Sequence, residues 1–245
     1  LAVLQKPTSK TAPDYRASVT ELVSTVRAMS GVRVIRHSRI ANAIASQAAT
    51  TWSASDTRCE PEIVSIVAST GGPQTLAEII KSLPPTFNLP IVIVQHITPE
   101  FLVSFVGWLN TISPLPVHLA KSGEIPLPGN IYLAPGNAHL KLSCNRSFQM
   151  SRTPRNLPHM PSGDVLLESV AQYYGPRALG MVLTGMGSDG ALGLRAMYDA
   201  GAMTVAQERE SCVIFGMPQE AISIGGARQT LTPVEISKLL QQYVG

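Results

Sequence analysis

Three side chains of this 245-residue chain stand where hydrolytic chemistry is possible: Ser69, His96 and Asp189. Each follows a short apolar run. Ile63–Ala68 precedes the serine, Pro90–Gln95 the histidine, and Ala178–Leu183 the loop Thr184–Gly190 that holds the aspartate. A serine hydroxyl is a weak nucleophile until an imidazole takes its proton, and a buried carboxylate can then fix the tautomer and stabilise the imidazolium. These are the parts of an acyl-transfer triad. The turn Ser69-Thr70-Gly71-Gly72-Pro73 adds a second ingredient: two glycines permit a tight strand-to-helix turn, and proline suits the first turn of a helix. Free N–H groups at such a helix start can hold charge that develops on a carbonyl oxygen. Gly185-Met186-Gly187 is a second source of such a donor.

Singly, each residue has a plainer reading. A serine in a glycine-rich turn caps a helix or binds phosphate, a histidine after a strand is structural, and Asp189-Gly190 makes a turn. A phosphate-binding α/β domain built on Gly71-Gly72 therefore stays open as an alternative. The coincidence of all three at one rim is what favours the triad.

That rim depends on the elements behind it. Helical spacing follows the first two runs, in Leu76, Ile79 and Ile80 and in Phe101, Leu102, Phe105 and Leu109. After the third loop, Leu192–Ala200 reads as a helix with Gly201 as its C-cap, and Met203–Ala206 as a fourth strand. Short β-branched runs alternating with helices predict an α/β fold, a doubly wound, mostly parallel sheet with helices on both faces. In such sheets ligands bind outside the carboxyl ends of the strands, where the three residues lie. The proline-rich middle, 114–150, differs. Ile131–Ala134 and His139–Leu142 read there as strands of hairpins, an antiparallel extension of the sheet.

Composition narrows the class. With 44% apolar and 14% charged residues the chain is not disordered throughout. Nineteen basic against 16 acidic residues, without clustering, argue against nucleic acid, which needs grouped Lys and Arg. No run approaches the ~18 apolar residues of a membrane span, so no direct membrane insertion is expected. Cys59, Cys144 and Cys212 are too few and scattered for a disulfide framework, and a cytoplasmic location is the simplest fit. His118, His139 and His159 form no metal-ligand spacing. Ser69-Thr70-Gly71-Gly72 is neither a dinucleotide fingerprint nor a Walker loop. No cofactor and no metal are expected. Nor is the serine in a G-x-S-x-G elbow, since Val67 occupies the first glycine position, and the order Ser, His, Asp differs from that of α/β-hydrolases.

Five segments occur in order: Ala68-Ser69-Thr70-Gly71-Gly72-Pro73, Gln95-His96, Pro135-Gly136-Asn137-Ala138-His139-Leu140, Thr184-Gly185-Met186-Gly187-Ser188-Asp189-Gly190-Ala191 and Phe215-Gly216-Met217-Pro218. Together they resemble the catalytic domain of the chemotaxis protein-glutamate methylesterases, the CheB family, from about Ile63 to the end of the chain. The resemblance implies hydrolysis of glutamate γ-methyl esters on chemoreceptor cytoplasmic domains with release of methanol, and deamidation of receptor glutamines as a second activity. It implies Ser69 as nucleophile, His96 as general base and then acid, Asp189 as orienting carboxylate, and Thr70 and Met186 at the oxyanion site. A receiver domain in cis and a chemotaxis histidine kinase are its implied partners. The alternative is a catalytically impaired regulatory or binding module on the same fold. Four positions depart from the family's pattern: Val67 where a small residue is usual, Gly163 where valine is common, Ser188 for asparagine and Cys212 for serine.

The chain falls into three parts on this reading: a receiver-domain remnant over 1–30, a linker over 31–61 and the catalytic domain over 62–245. Val19, Leu22, Val23, Val26 and Met29 form one apolar stripe of a helix that Asp14 could cap. Leu1–Pro7 is similar to a receiver's last strand and its Lys-Pro. A chain beginning with Leu rather than Met reads as a fragment of a longer protein.

Overall fold

The computed structural model describes residues 60–153 and 157–244. The receiver remnant, its helix, and all of the linker but residues 60 and 61 lie outside the described residues. The described chain runs β1 (Ile63–Ala68), α1 (Gly72–Lys81), β2 (Ile91–Gln95), α2 (Pro99–Ile112), β3 (Val117–Leu119), β4 (Ile131–Leu133), β5 (His139–Leu142) and β6 (Phe148–Ser151). It continues through α3 (Gly163–Tyr174), β7 (Ala178–Val182), α4 (Ala191–Asp199), β8 (Met203–Gln207), α5 (Met217–Ser223), β9 (Gln229–Leu231) and α6 (Pro233–Leu240).

Seven strands form one sheet in the order β3-β4-β2-β1-β7-β8-β9, and every pair in it is parallel. The chain winds outward from β1 through β2 and then returns to add β7, β8 and β9 on the other side. The strand order therefore reverses at β1, the place where open parallel sheets leave a crevice for ligands.

The residues of β1 explain why it sits at the centre. All six are buried, and their alternation serves two cores, because successive side chains point to opposite faces. Val64, Ile66 and Ala68 pack with Leu76, Ile79 and Ile80 of α1, Leu102, Phe105 and Leu109 of α2, and Ile236 and Leu240 of α6. Ile63 and Val67 pack on the other face with Leu166, Leu167 and Val170 of α3, Leu194 and Met197 of α4, and Met217 and Ala221 of α5. Each of these side chains larger than alanine contributes about 1.5–3 kcal/mol by leaving water. The helices thus clamp the sheet from both sides, and its carboxyl rim stays open between them.

The middle of the chain differs in part from its sequence reading. Ile131–Leu133 is not a hairpin strand but an interior parallel strand between β2 and β3. Its three residues Ile-Tyr-Leu are all buried, the pattern of a strand covered on both faces. The expected antiparallel hairpin is present as β5–β6, a separate two-stranded sheet. It is tied to α3 by the Leu142 N–H, which donates to Ser169 Oγ at 3.0 Å. Helix α4 ends as expected, with Gly201 in the left-handed region at φ 84° just past its cap.

Candidate active site

Ser69 and His96 leave adjacent parallel strands at the same level. The β1–β2 register pairs Ala68 with Gln95, and the His96 N–H continues that ladder to Ala68 O at 2.9 Å. On the other side the Ser69 N–H donates to Thr184 O at 3.0 Å. After the serine the chain must turn at once into α1. Gly71 makes that possible at φ 84°, and Gly72 is pressed against the Gln95 side-chain oxygen, where a Cβ would not fit. Gln95, quoted as part of a motif but given no role from sequence, holds the two ends together. Its Nε2 donates to Ser69 O at 2.9 Å and to His96 O at 3.0 Å.

Asp189 sits in the loop between β7 and α4, nearly buried, and accepts four hydrogen bonds. His96 Nε2 lies 2.7 Å from Oδ2, and the Gly163 N–H donates to Oδ2 at 2.6 Å. The Ser162 hydroxyl donates to Oδ1 at 2.7 Å and the Asp164 N–H to Oδ1 at 3.2 Å. Three of these donors form the start of α3, where unpaired N–H groups favour an anion. Burial alone would raise the Asp189 carboxyl, but the bonds from His96, Gly163, Ser162 and Asp164 outweigh it and hold the group at about 2. It is ionised near neutrality and can only accept, so the proton between it and His96 resides on Nε2. The other ring nitrogen, Nδ1, is then the one with a lone pair. It is buried and has no hydrogen-bond partner.

Two more histidines belong to this constellation and were set aside in the sequence because neither has a metal-ligand spacing. His159 stacks on His96 with ring centroids 4.3 Å apart and planes 15° from parallel. Burial lowers its pKa, the neighbouring His96 lowers it further, and Asp189 partly opposes both. His139 is fully buried, and its Nδ1 accepts from the Ser162 N–H at 3.1 Å, which anchors the residue that caps Asp189. No periodicity reports such contacts; only the fold brings them together. His118 lies apart, with Nε2 on Asn130 Oδ1 at 3.1 Å at the β3–β4 edge. Among the described residues no group of His, Cys, Asp and Glu could hold a metal ion.

The loops bearing Thr70 and Met186 flank the serine. A Cβ on Gly185 would lie 2.6 Å from Ser69 Cβ, so the loop after β7 passes directly beside Ser69. The Thr184 hydroxyl contacts Thr70 O at 2.9 Å and accepts from the Ile214 N–H at 3.0 Å, which ties three loops into one wall. The Thr70 and Met186 N–H groups donate to no backbone acceptor among the described residues. Met186 itself is exposed, as is Val213, and Val213 packs where a Gly71 Cβ would go.

The four departures from the family pattern leave these contacts intact. Ser188 is exposed at the surface. Cys212 is half-buried, and burial pushes its thiol up to about 11. Val67 is fully buried, and the Gly163 N–H donates to the Asp189 carboxylate. A cavity of ≈ 340 Å³ lined by Ala120, Pro135, Asn137, Met150 and Arg152 opens at the ends of β3, β4 and β6, and none of Ser69, His96 and Asp189 is among these lining residues.

An imidazole bonded to a buried carboxylate, one strand over from a serine at the carboxyl rim of a parallel sheet, is the setting that a serine hydrolase uses, although no hydrogen bond joins the Ser69 hydroxyl to His96 Nδ1. Comparison with known proteins names the lineage. The family model for CheB methylesterase matches residues 64–240. The chain is similar to a protein-glutamate methylesterase/protein-glutamine glutaminase of Nitrosospira multiformis, 39% identical over 245 residues, covering 100% of this chain and 69% of that protein. It is also similar to the Salmonella typhi protein of the same name, 41% identical over 216 residues, covering 87% of this chain and 61% of that one. The crystal structure of the Thermotoga maritima CheB methylesterase catalytic domain superposes with a TM-score of 0.72 at 36% identity, covering 76% of this chain and all of that one. This chain belongs to the CheB methylesterase family.

Proposed function

We propose that this protein is a protein-glutamate methylesterase. It hydrolyses γ-methyl esters of glutamate side chains on the cytoplasmic domains of chemoreceptors, and it deamidates receptor glutamines by the same route. The observation that carries the reading is the His96–Asp189 pair: Nε2 is committed to an ionised carboxylate at 2.7 Å, and Nδ1 is left unpartnered at the strand end next to Ser69.

In this mechanism the Ser69 hydroxyl attacks the ester carbonyl carbon and its proton passes to His96 Nδ1. Asp189 stabilises the imidazolium so formed. The N–H groups of Thr70 and Met186 are the donors this reading assigns to the oxyanion of the tetrahedral intermediate, each such donor being worth about 3 kcal/mol of transition-state stabilisation. Collapse expels the methoxy group, which takes the proton from His96 and leaves as methanol. Water then attacks the acyl-serine with His96 again as base and frees the glutamate carboxylate. With glutamine as substrate the leaving group is ammonia.

The receptor is the substrate partner under this reading, with a receiver domain in cis and a chemotaxis histidine kinase as regulatory partners and the cytoplasm as compartment. In keeping with this, no helix among the described residues is long and apolar enough to cross a membrane. The test is methanol release from a methylated receptor fragment, run beside Ser69→Ala. Wild-type release that the variant lacks supports the reading, and equal release by the two overturns it.

A further inference from the structure

Val67 and Gly163 are two positions at which the sequence departs from its family pattern, large for small at one and small for large at the other. In the structure they are one contact. A Cβ placed on Gly163 would collide with Val67 Cγ1 and lie 2.8 Å from Cγ2. On its other side Val67 meets Gly190, where a Cβ would sit 3.1 Å from Cγ1 and 3.2 Å from Cβ.

The two glycines have different reasons to be glycine. Gly190 has φ 90°, a backbone that other residues adopt only with strain. Gly163 is not among the positive-φ residues. It opens helix α3, where a glycine loses more conformational entropy on folding than an alanine would. Its lack of a side chain is therefore a matter of space, and Val67 occupies that space.

Both glycines border the carboxylate. The Gly163 N–H donates to Asp189 Oδ2 at 2.6 Å, and Gly190 follows Asp189 in the chain. We propose that Val67 is a positioning residue for Asp189. Its two methyl groups set how closely the start of α3 descends onto the carboxylate, and Gly163 must stay bare for that descent. Interiors are packed like crystals and tolerate extra volume badly. A side chain at 163 would lift the Ser162, Gly163 and Asp164 donors together, and His96 would lose the fixed partner that orients it.

This inference rests on the methylesterase reading, so its test carries one readout that does not. Gly163→Val, Val67→Gly and the double variant V67G/G163V are compared with wild type for methanol release and for the proton resonance of the His96 ring N–H bonded to Asp189. Gly163→Val is expected to lower kcat about 100-fold, the scale of an ångström-sized misplacement, with KM within about threefold. Its ring-proton resonance moves upfield or vanishes. The double variant restores the volume, so it regains the resonance and most of kcat. Should Gly163→Val fail to fold, a double variant that folds and shows the resonance carries the proposal by itself.

A Gly163→Val enzyme with wild-type kcat and resonance overturns it. So does a double variant no better than Gly163→Val, or one that fails to fold. If wild type releases no methanol, the functional reading fails, and the resonance series still decides the coupling of Val67 to Asp189.

Discussion

His96 turns Nε2, not Nδ1, toward Asp189, with 2.7 Å between Nε2 and Oδ2. In the familiar serine-protease geometry the carboxylate takes Nδ1 and the serine faces Nε2. Under the proposed mechanism the roles of the two nitrogens are exchanged, and the nitrogen left for the serine is Nδ1, the one nearer the backbone. A base at the end of one strand can then serve a nucleophile at the end of the next, because neighbouring strands lie only about 4.8 Å apart.

Asp189→Asn is expected to lower kcat by about 10³–10⁴-fold, since the carboxamide neither fixes the tautomer nor balances the imidazolium. The fold should persist, because the amide keeps an acceptor for the α3 N–H groups. Single-turnover methanol release together with a circular dichroism spectrum checks both. Activity within tenfold of wild type would remove Asp189 from the mechanism.

The stack of His159 on His96 predicts a different pattern. His159→Ala should lower kcat about tenfold by freeing the His96 ring from the planar contact that restrains it, whereas His159→Phe should stay within about threefold because an aromatic face is kept. Equal losses in the two variants would show that the imidazole itself, not its face, is needed. Steady-state kinetics on both variants decides this.

Asp164 sets a pH dependence of stability. Burial raises its carboxyl to about 6, against the N–H bond from Gly193 and with help from nearby Asp189. A raised acid favours the folded state when protonated. Its stabilisation is therefore complete below 3.8, the ordinary value for an aspartate, and is lost as pH rises through about 6. The ionised form costs roughly 2 kcal/mol at neutral pH after allowance for partial exposure. Asp164→Asn, which can still accept from the Gly193 N–H, should be the more stable protein by about that amount at pH 7 and equal to wild type below pH 4. Urea unfolding at the two pH values measures it.

Gln95 clamps the two strand ends through Ser69 O and His96 O. Gln95→Leu keeps the volume and leaves both carbonyls without that donor, so unfolding should be easier by about 2 kcal/mol. The fall in kcat should exceed any rise in KM, because the clamp holds reacting groups and not substrate. Chemical denaturation and kinetics on the same preparation test the two statements.

Much of this site could be read before any coordinates. Ser69, His96 and Asp189 follow runs whose composition marks buried parallel strands, and such strands present their ends at one rim. What stayed hidden were contacts between segments far apart in the chain. Ile131–Leu133 looked like a hairpin strand because prolines and turns surround it, and only its register with Ile91–Ile93 shows that it continues the parallel sheet. His159 carries no local signal and His139 appears only within a quoted motif with no role: one stacks on His96 and the other accepts from the Ser162 N–H, contacts that exist only once distant segments meet. Val67 and Gly163 were each visible as an oddity, but their fit to one another is a matter of volume in three dimensions.

The all-parallel order of the sheet also bears on how the molecule is made. Strand β1 finds its second neighbour, β7, only after most of the described chain has been synthesised, and Asp189 follows that strand. Parallel strands need long crossovers and pair slowly. Under the proposed mechanism a nascent chain therefore carries its serine and histidine without the third member until β7 has been made and can close against β1.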